Sequence, residues 1–97
     1  MLVVEYWPDK AEMRVTGHAG YAPRGQDIVC AAASMLIGTL HGYLAGKPGF
    51  ESSDDGTVYS VVCAVDGQVQ AAMDMCYKGY ELLEQRYPAH VICGKRK

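Results

Sequence analysis

The chain has 97 residues, of which 49% are hydrophobic and 21% are charged, a balance typical of a folded globular protein rather than a disordered one. This length predicts a single domain over residues 1–97 that buries a core without a disulfide or metal staple. The formal net charge of −2 argues against a protein that binds nucleic acid by neutralising phosphates, so we expect no direct nucleic-acid partner.

Targeting signals and metal-binding spacings are both missing from the sequence. No run of about 18 apolar residues occurs, so we expect no membrane partner. The segment MLVVEYWPDK lacks the basic start and long apolar stretch of a secretory signal, so we expect a cytoplasmic protein. The cysteines lie at positions 30, 63, 76 and 93. A reducing compartment argues against disulfides between them, and because no two are spaced as C-x-x-C, we expect no zinc site of that type.

The N-terminal segment predicts a β-hairpin. Residues 2–6 are rich in β-formers, and residues 7–10 (WPDK) have the composition of a turn. Ala11, Met13 and Val15 then alternate with polar residues, which is the pattern of a half-buried strand.

A glycine- and proline-containing loop over residues 17–26 follows, and Asp27 begins a helix that runs to about Ala45. Residues 50–53 and 57–65 flank the turn sequence DDG and predict a second hairpin. Its inward face is predicted to carry Tyr59, Val61, Cys63 and Val65.

Apolar residues at helical spacing predict a second helix over residues 68–86, and residues 89–93 predict a short last strand. The order of elements is ββαββαβ. It predicts an α+β fold, in which two hairpins and the last strand form a small sheet and two helices pack on it.

Asp27 and Cys30 place a thiol at the start of the first predicted helix. As the N-cap residue, Asp27 would accept hydrogen bonds from the free N–H groups of the first turn, and Cys30 would be the third helical residue. The positive end of the helix dipole favours a thiolate there. The Asp27 carboxylate opposes that thiolate unless its charge is engaged by the cap or by a histidine.

His18 ends the second predicted strand, so a loop that folds back would bring its imidazole to the sulfur of Cys30. A cysteine–histidine pair performs acyl transfer, because the thiolate attacks a carbonyl and the imidazolium protonates the leaving amine. Backbone N–H groups at the helix start, including that of Cys30, would supply an oxyanion site. The chain contains no asparagine to orient the histidine. The pair therefore acts alone, or a carboxylate such as that of Asp27, a hydroxyl or a backbone carbonyl assists it.

Spacing alone leaves other interpretations open. A cysteine in the first turn of an apolar helix is often a packed small residue, and a histidine at a strand end is often a satisfied polar group. The glycine-containing loop could instead cradle a phosphate, although it fits neither a P-loop nor a dinucleotide fingerprint. His41 and His90 are predicted to be solvated or satisfied, and the other three cysteines to be buried small hydrophobes.

Three stretches, TGHAGYA, GQDIVCAAAS and EQRYPAHV, resemble the Prp (YsxB-like) family of bacterial ribosomal-processing cysteine proteases. The resemblance covers most of the chain and implies one YsxB-like domain of α+β fold that works as a homodimer without a cofactor. It implies an endopeptidase that removes a short N-terminal extension from a large-subunit ribosomal protein precursor. The chain departs from the family pattern at Ala33, where a branched residue is common.

The resemblance also implies roles for individual residues. Cys30 matches the nucleophile and His18 the catalytic histidine, while Asp27 and Ser34 match supporting residues. Gly20, Tyr21 and Gly25 lie in the loop expected to bind substrate, with Tyr21 as a wall of an apolar groove. We expect the mobile loop to close over a peptide, so that substrate completes the site. The alternatives are a non-catalytic ribosome-assembly or interaction module and a small-molecule thiol hydrolase.

Overall fold

The computed structural model describes all 97 residues. Strands and helices follow in the order ββαββαβ, and a short 3-10 helix over Pro8–Lys10 follows the first strand. The α+β prediction is therefore confirmed. The strands are β1 (Leu2–Trp7), β2 (Glu12–Gly17), β3 (Glu51–Asp54), β4 (Val58–Val62) and β5 (Val91–Lys95), and the helices are α1 (Ile28–Leu44) and α2 (Gly67–Arg86).

The strands form one sheet in the order β3-β4-β2-β1-β5, in which only β1 and β5 are parallel neighbours. Leu2 at the start of β1 is in register with Gly17 on one side and with Val91 on the other. The Leu2 N–H also donates to the carbonyl of His90 at 2.9 Å. The end of β2 and the turn before β5 therefore lie at the same end of the sheet, on either side of Leu2, although they are far apart in sequence.

The core lies between the two helices and one face of the sheet. Alternate residues of β1 and β2 are buried, as the period-2 pattern predicts, and the helices contribute residues at helical spacing. All of them belong to a single buried cluster, whose removal from water is the main source of stability. The cluster includes Val4, Tyr6 and Met13 from the sheet, Val29, Ala33 and Ile37 from α1, and Val69, Met73 and Tyr80 from α2.

The predicted bounds of the last two strands are wrong. Strand β4 ends at Val62, so Val65 lies outside the sheet and is 50% exposed, whereas Cys63 is buried just beyond the strand. Strand β5 continues to Lys95 because its pairing with β1 extends to the register Tyr6–Lys95. Neither helix is both long and apolar enough to span a bilayer.

Candidate active site

The start of α1 is capped by Asp27, as the sequence predicts. Asp27 has an extended backbone (φ −85°, ψ 99°), and its Oδ1 accepts the N–H of Cys30, the third helical residue, at 2.9 Å. This bond occupies the N–H that the sequence suggested as an oxyanion donor. The same hydrogen serves the cap, so its use as an oxyanion donor stays a prediction.

The second carboxylate oxygen of Asp27 binds the loop. Its Oδ2 accepts the N–H of Tyr21 at 3.0 Å and that of Ala22 at 3.4 Å. The hydrogen bond from Cys30, followed by those from the two loop residues, lowers the pKa of Asp27 below its usual range. One ionised side chain therefore ties the loop to the helix that carries the cysteine.

The sulfur of Cys30 accepts a hydrogen bond from the N–H of Ala19 at 3.2 Å. A donated N–H and the positive end of a helix both favour the charged form of an acceptor. Cys30 is partly exposed, and no cysteine of the chain forms a disulfide. Its sulfur thus has the access and the local dipoles that a reactive thiol needs.

The other cysteines have different surroundings. Burial raises the pKa of both Cys76 and Cys93 to about 12, helped at Cys93 by the charge of Glu84. Cys63 is buried and donates its S–H to the carbonyl of Pro48 at 3.3 Å. Cys63 and Cys76 are buried as predicted, whereas Cys93 is only partly buried.

His18 follows β2 and is exposed to solvent. It lines two cavities, of about 230 Å³ and about 700 Å³, and Cys30, Ser34 and Gly56 line both cavities with it. The imidazole makes no hydrogen bond to the sulfur. His18 and Cys30, the two predicted catalytic residues, thus line the same two cavities without a hydrogen bond between them.

The smaller cavity extends from Cys30 between α1 and the hairpin of β3 and β4. Apolar side chains from the sheet and α1 form part of its wall, and polar groups from the hairpin form the rest. Tyr59 belongs to this wall, and its hydroxyl is 2.7 Å from Nδ1 of His41. The wall consists of Leu2, Val15, Gly17, Ala33, Ile37, Asp54, Thr57 and Tyr59 together with the four shared residues.

The larger cavity lies on the loop side of Cys30. Gly20 and Gly25, two of the predicted substrate-binding residues, line it with positive φ angles of 67° and 87°, which glycine adopts without strain. Tyr21 lines neither cavity. Its ring packs edge-on against Tyr87 and His90, so its predicted contact with substrate stays a prediction.

His90 and the β3–β4 hairpin are parts of this region that the sequence did not assign to the site. Nδ1 of His90 is 2.9 Å from the carbonyl oxygen of Ala19, so the prediction of a satisfied histidine fits. Asp54 and Thr57 reach the smaller cavity because β4 pairs with β2. No local pattern signals either placement, since both depend on pairing between distant segments.

Comparison with known proteins gives a consistent result. The family model Peptidase_Prp, described as cysteine protease Prp, matches residues 6–92. No curated protein matches the chain. Among solved structures, the ribosomal processing protease Prp of Staphylococcus aureus with a covalently linked product peptide has a TM-score of 0.85 and 20% identity, covering 99% of this chain and 100% of that one.

Two further structures share the fold. The Staphylococcus aureus protease in complex with a substrate peptide has a TM-score of 0.72 and 19% identity, covering 98% of this chain and 97% of that one. The protein SMU.848 from Streptococcus mutans has a TM-score of 0.68 and 24% identity, covering 97% and 90%. Similar structures at such low identity establish the fold, while the family match concerns the chain's own sequence.

Proposed function

Because this chain belongs to the Prp cysteine protease family, we propose that it removes a short N-terminal extension from a large-subunit ribosomal protein precursor in the cytoplasm. The observation that carries the proposal is the sulfur of Cys30. It lies at the start of α1, accepts the N–H of Ala19, and shares two cavities with His18. This combination supports a thiolate nucleophile beside a proton carrier.

In the proposed reaction, the thiolate of Cys30 attacks the carbonyl carbon of the scissile peptide. The C–N bond breaks, and the imidazolium of His18 gives its proton to the leaving amine. The neutral imidazole then takes a proton from water, whose oxygen attacks the thioester. The C–S bond breaks, the new carboxyl end leaves, and the thiolate and imidazolium are restored.

Asp27 and Ser34 act as supporting residues in this scheme. Both carboxylate oxygens of Asp27 accept backbone N–H groups, so its role is to position the loop and Cys30 rather than to orient His18. Ser34 lies one helical turn after Cys30 and lines both cavities, where its hydroxyl is available to a bound peptide. The reacting groups are then the pair Cys30 and His18.

A solved relative and the lining of the site both support a peptide substrate. The Staphylococcus aureus relative was solved with a substrate peptide and with a covalently linked product peptide, which supports a peptide here as well. The smaller cavity, with Val15, Ala33 and Ile37 in its wall, is suited to an apolar side chain. Binding of the peptide closes the loop that contains Gly20 and Gly25 over it and brings His18 to the sulfur.

We place the proposed homodimer contact on an apolar groove between the helices, away from Cys30. The groove measures about 550 Å³ and includes Met35 and Met75, which are 70% and 76% exposed. An exposed apolar patch of this kind is typical of an interface. A second copy of the chain is the partner that the family resemblance suggests.

The test is incubation of the purified protein with the precursor of its own organism. The parent protein should shorten the precursor by the extension, whereas Cys30→Ala and His18→Ala should reduce the rate by at least about a hundredfold. Cys93→Ala is the matched control, because this thiol lies on β5 outside both cavities. A precursor cut equally fast by Cys30→Ala, or left uncut by every form, would contradict the proposal.

A further inference from the structure

His90 holds the backbone beside the sulfur of Cys30. Its Nδ1 is 2.9 Å from the carbonyl oxygen of Ala19, and the N–H of the same Ala19 donates to the sulfur at 3.2 Å. A carbonyl oxygen only accepts, so Nδ1 carries the proton of this bond. Ala19 is 1% exposed, and both its N–H and its carbonyl oxygen are hydrogen-bonded to side chains.

The fold makes this contact possible. Leu2 is in register with Gly17 and Val91, so the residue before β5 lies beside the residues after β2. The carbonyl of His90 accepts the N–H of Leu2 at 2.9 Å, and its own N–H donates to the carbonyl of Tyr87 at 2.9 Å. Hydrogen bonds thus fix the backbone of His90, and the ring extends from this fixed backbone to the loop.

Aromatic contacts add to the hydrogen bond. The ring of Tyr21 packs edge-on against His90 at 5.4 Å and against Tyr87 at 5.3 Å between ring centroids. The three rings attach the first part of the loop to the turn before β5. This attachment limits how far Ala19 can move from the sulfur.

We propose that His90 is a positioning residue for Cys30: its Nδ1–H fixes the backbone of Ala19, so that the Ala19 N–H stays directed at the sulfur and stabilises the thiolate. The inference rests on the proposed function of Cys30 as nucleophile. His90 lines neither cavity and makes no contact with the reacting atoms. It acts only through Ala19.

The electrostatic balance explains why one amide matters. The carboxylate of Asp27 lies at the same helix start as the sulfur and opposes a second negative charge there. The Ala19 N–H is the hydrogen-bond donor that offsets this effect at the sulfur. Without the hydrogen bond from His90, the Ala19 N–H turns away from the sulfur, while the carboxylate of Asp27 stays beside it.

Two substitutions separate the hydrogen bond from the ring contact. His90→Phe keeps an aromatic ring against Tyr21 and removes the donor. His90→Asn removes the ring and keeps an N–H near the place of Nδ1. The rate of iodoacetamide alkylation of Cys30 is measured against pH without substrate, so the readout reports the thiolate and not cleavage.

For His90→Phe we expect the midpoint of this profile to move up by about one pH unit, so that the alkylation rate well below the midpoint falls about tenfold, as for the loss of a hydrogen bond to a charged group. His90→Asn should stay within about twofold of the parent. With the precursor, His90→Phe should lower kcat about tenfold and leave KM within about twofold. An unchanged profile in His90→Phe would overturn the proposal, even if precursor cleavage by the parent upholds the proposed function.

A measurement on the parent protein covers the case in which a variant fails to fold. Nitrogen NMR of the histidines should show His90 protonated at Nδ1 at neutral pH, and the Ala19 N–H should exchange slowly with solvent. A His90 ring protonated at Nε2 alone would contradict the proposal. Cleavage of the precursor by Cys30→Ala would instead contradict the proposed function, so the two failures are distinguishable.

Discussion

The Oδ2 atom of Asp27 accepts the backbone N–H of Tyr21 at 3.0 Å, which ties the loop after β2 to the first turn of α1. The other oxygen of the same carboxylate accepts the N–H of Cys30 at 2.9 Å. A carboxylate offers acceptors on both oxygens, whereas an amide offers them on one. The helix cap and the loop anchor can therefore be separated by a single substitution.

We expect Asp27→Asn to keep the cap on Cys30 and to lose the loop anchor, because its NH₂ group cannot accept from Tyr21 or Ala22. Hydrogen exchange of those two amides should accelerate by at least about tenfold, while the Cys30 amide stays protected. Cleavage of the precursor should fall about tenfold, because the loop is no longer held at the site.

Asp66→Asn is the matched control for this substitution. Asp66 caps α2 through Oδ1, which accepts the N–H of Val69 at 2.8 Å, and it has no second anchor. An asparagine there should leave both hydrogen exchange in the loop and precursor cleavage unchanged. Identical behaviour of the two variants would contradict the separate role of the second oxygen.

Acid should destabilise the protein through two carboxylates that accept backbone N–H groups, Asp27 at the start of α1 and Asp55 in the turn between β3 and β4. Hydrogen bonds from backbone N–H groups lower the pKa of both carboxyls. The largest effect comes from the N–H of Cys30 at Asp27 and from the N–H of Val58 at Asp55. A lowered folded-state pKa means that the stabilisation is complete above the unfolded value of about 4 and is lost as the pH falls through the folded value. In thermal melting between pH 7 and pH 2, Tm should decrease once the pH is below about 4. The decrease should be less steep in Asp27→Asn than in the parent. Parallel curves for that variant and the parent would contradict the assignment to Asp27.

Features that depend on neighbours in sequence were predictable. The alternation of Ala11, Met13 and Val15 predicted one buried face, and all three side chains are buried, Met13 and Val15 on β2 and Ala11 just before it. The cap at Asp27 was predictable because a carboxylate before an apolar helical run satisfies donors only three residues away. Cys30 followed from the same local reasoning.

Contacts between distant segments were not predictable from pattern. His90 reaches Ala19 only because β5 pairs in parallel with β1, and no periodicity reveals the partner or register of a strand. Asp54 enters the smaller cavity for a similar reason, through the pairing of β4 with β2. Val65 was misplaced because apolar alternation continues past the last ladder bond of β4.

The hydroxyl of Tyr80 should contribute measurably to stability. It is fully buried in α2 and donates to the carbonyl of Ala33 in α1 at 2.7 Å. Tyr80→Phe should lower the free energy of unfolding by about 1 kcal/mol, measured by urea denaturation. Tyr77→Phe is the control, because this ring is also buried in α2 but its hydroxyl makes no hydrogen bond. Equal losses in the two variants would contradict a role for this bond.

Thiol labelling should distinguish Cys30 from the other cysteines. A thiol with a pKa of about 12, as at Cys76 and Cys93, has about one molecule in ten thousand ionised at pH 8. Cys63 is closed off inside the core. In the folded protein, iodoacetamide should therefore modify Cys30 at least about a hundredfold faster than the others, as read by mass spectrometry of peptides. Uniform slow labelling would instead favour a packed, unreactive cysteine.

The groove between α1 and α2 should decide the oligomeric state. A charge at Met75 would have to be buried without a partner if a second copy covers the groove, so Met75→Glu should weaken association by at least about a hundredfold. Sedimentation should then show monomers at concentrations where the parent is a dimer.

Ile92→Glu is the matched control, because Ile92 is 51% exposed on β5 and lies outside the groove. A parent protein that sediments as a monomer, or a Met75→Glu variant that stays dimeric, would contradict this placement of the interface. Because the groove does not include Cys30 or His18, the monomeric variant should keep alkylation of Cys30 at the parent rate.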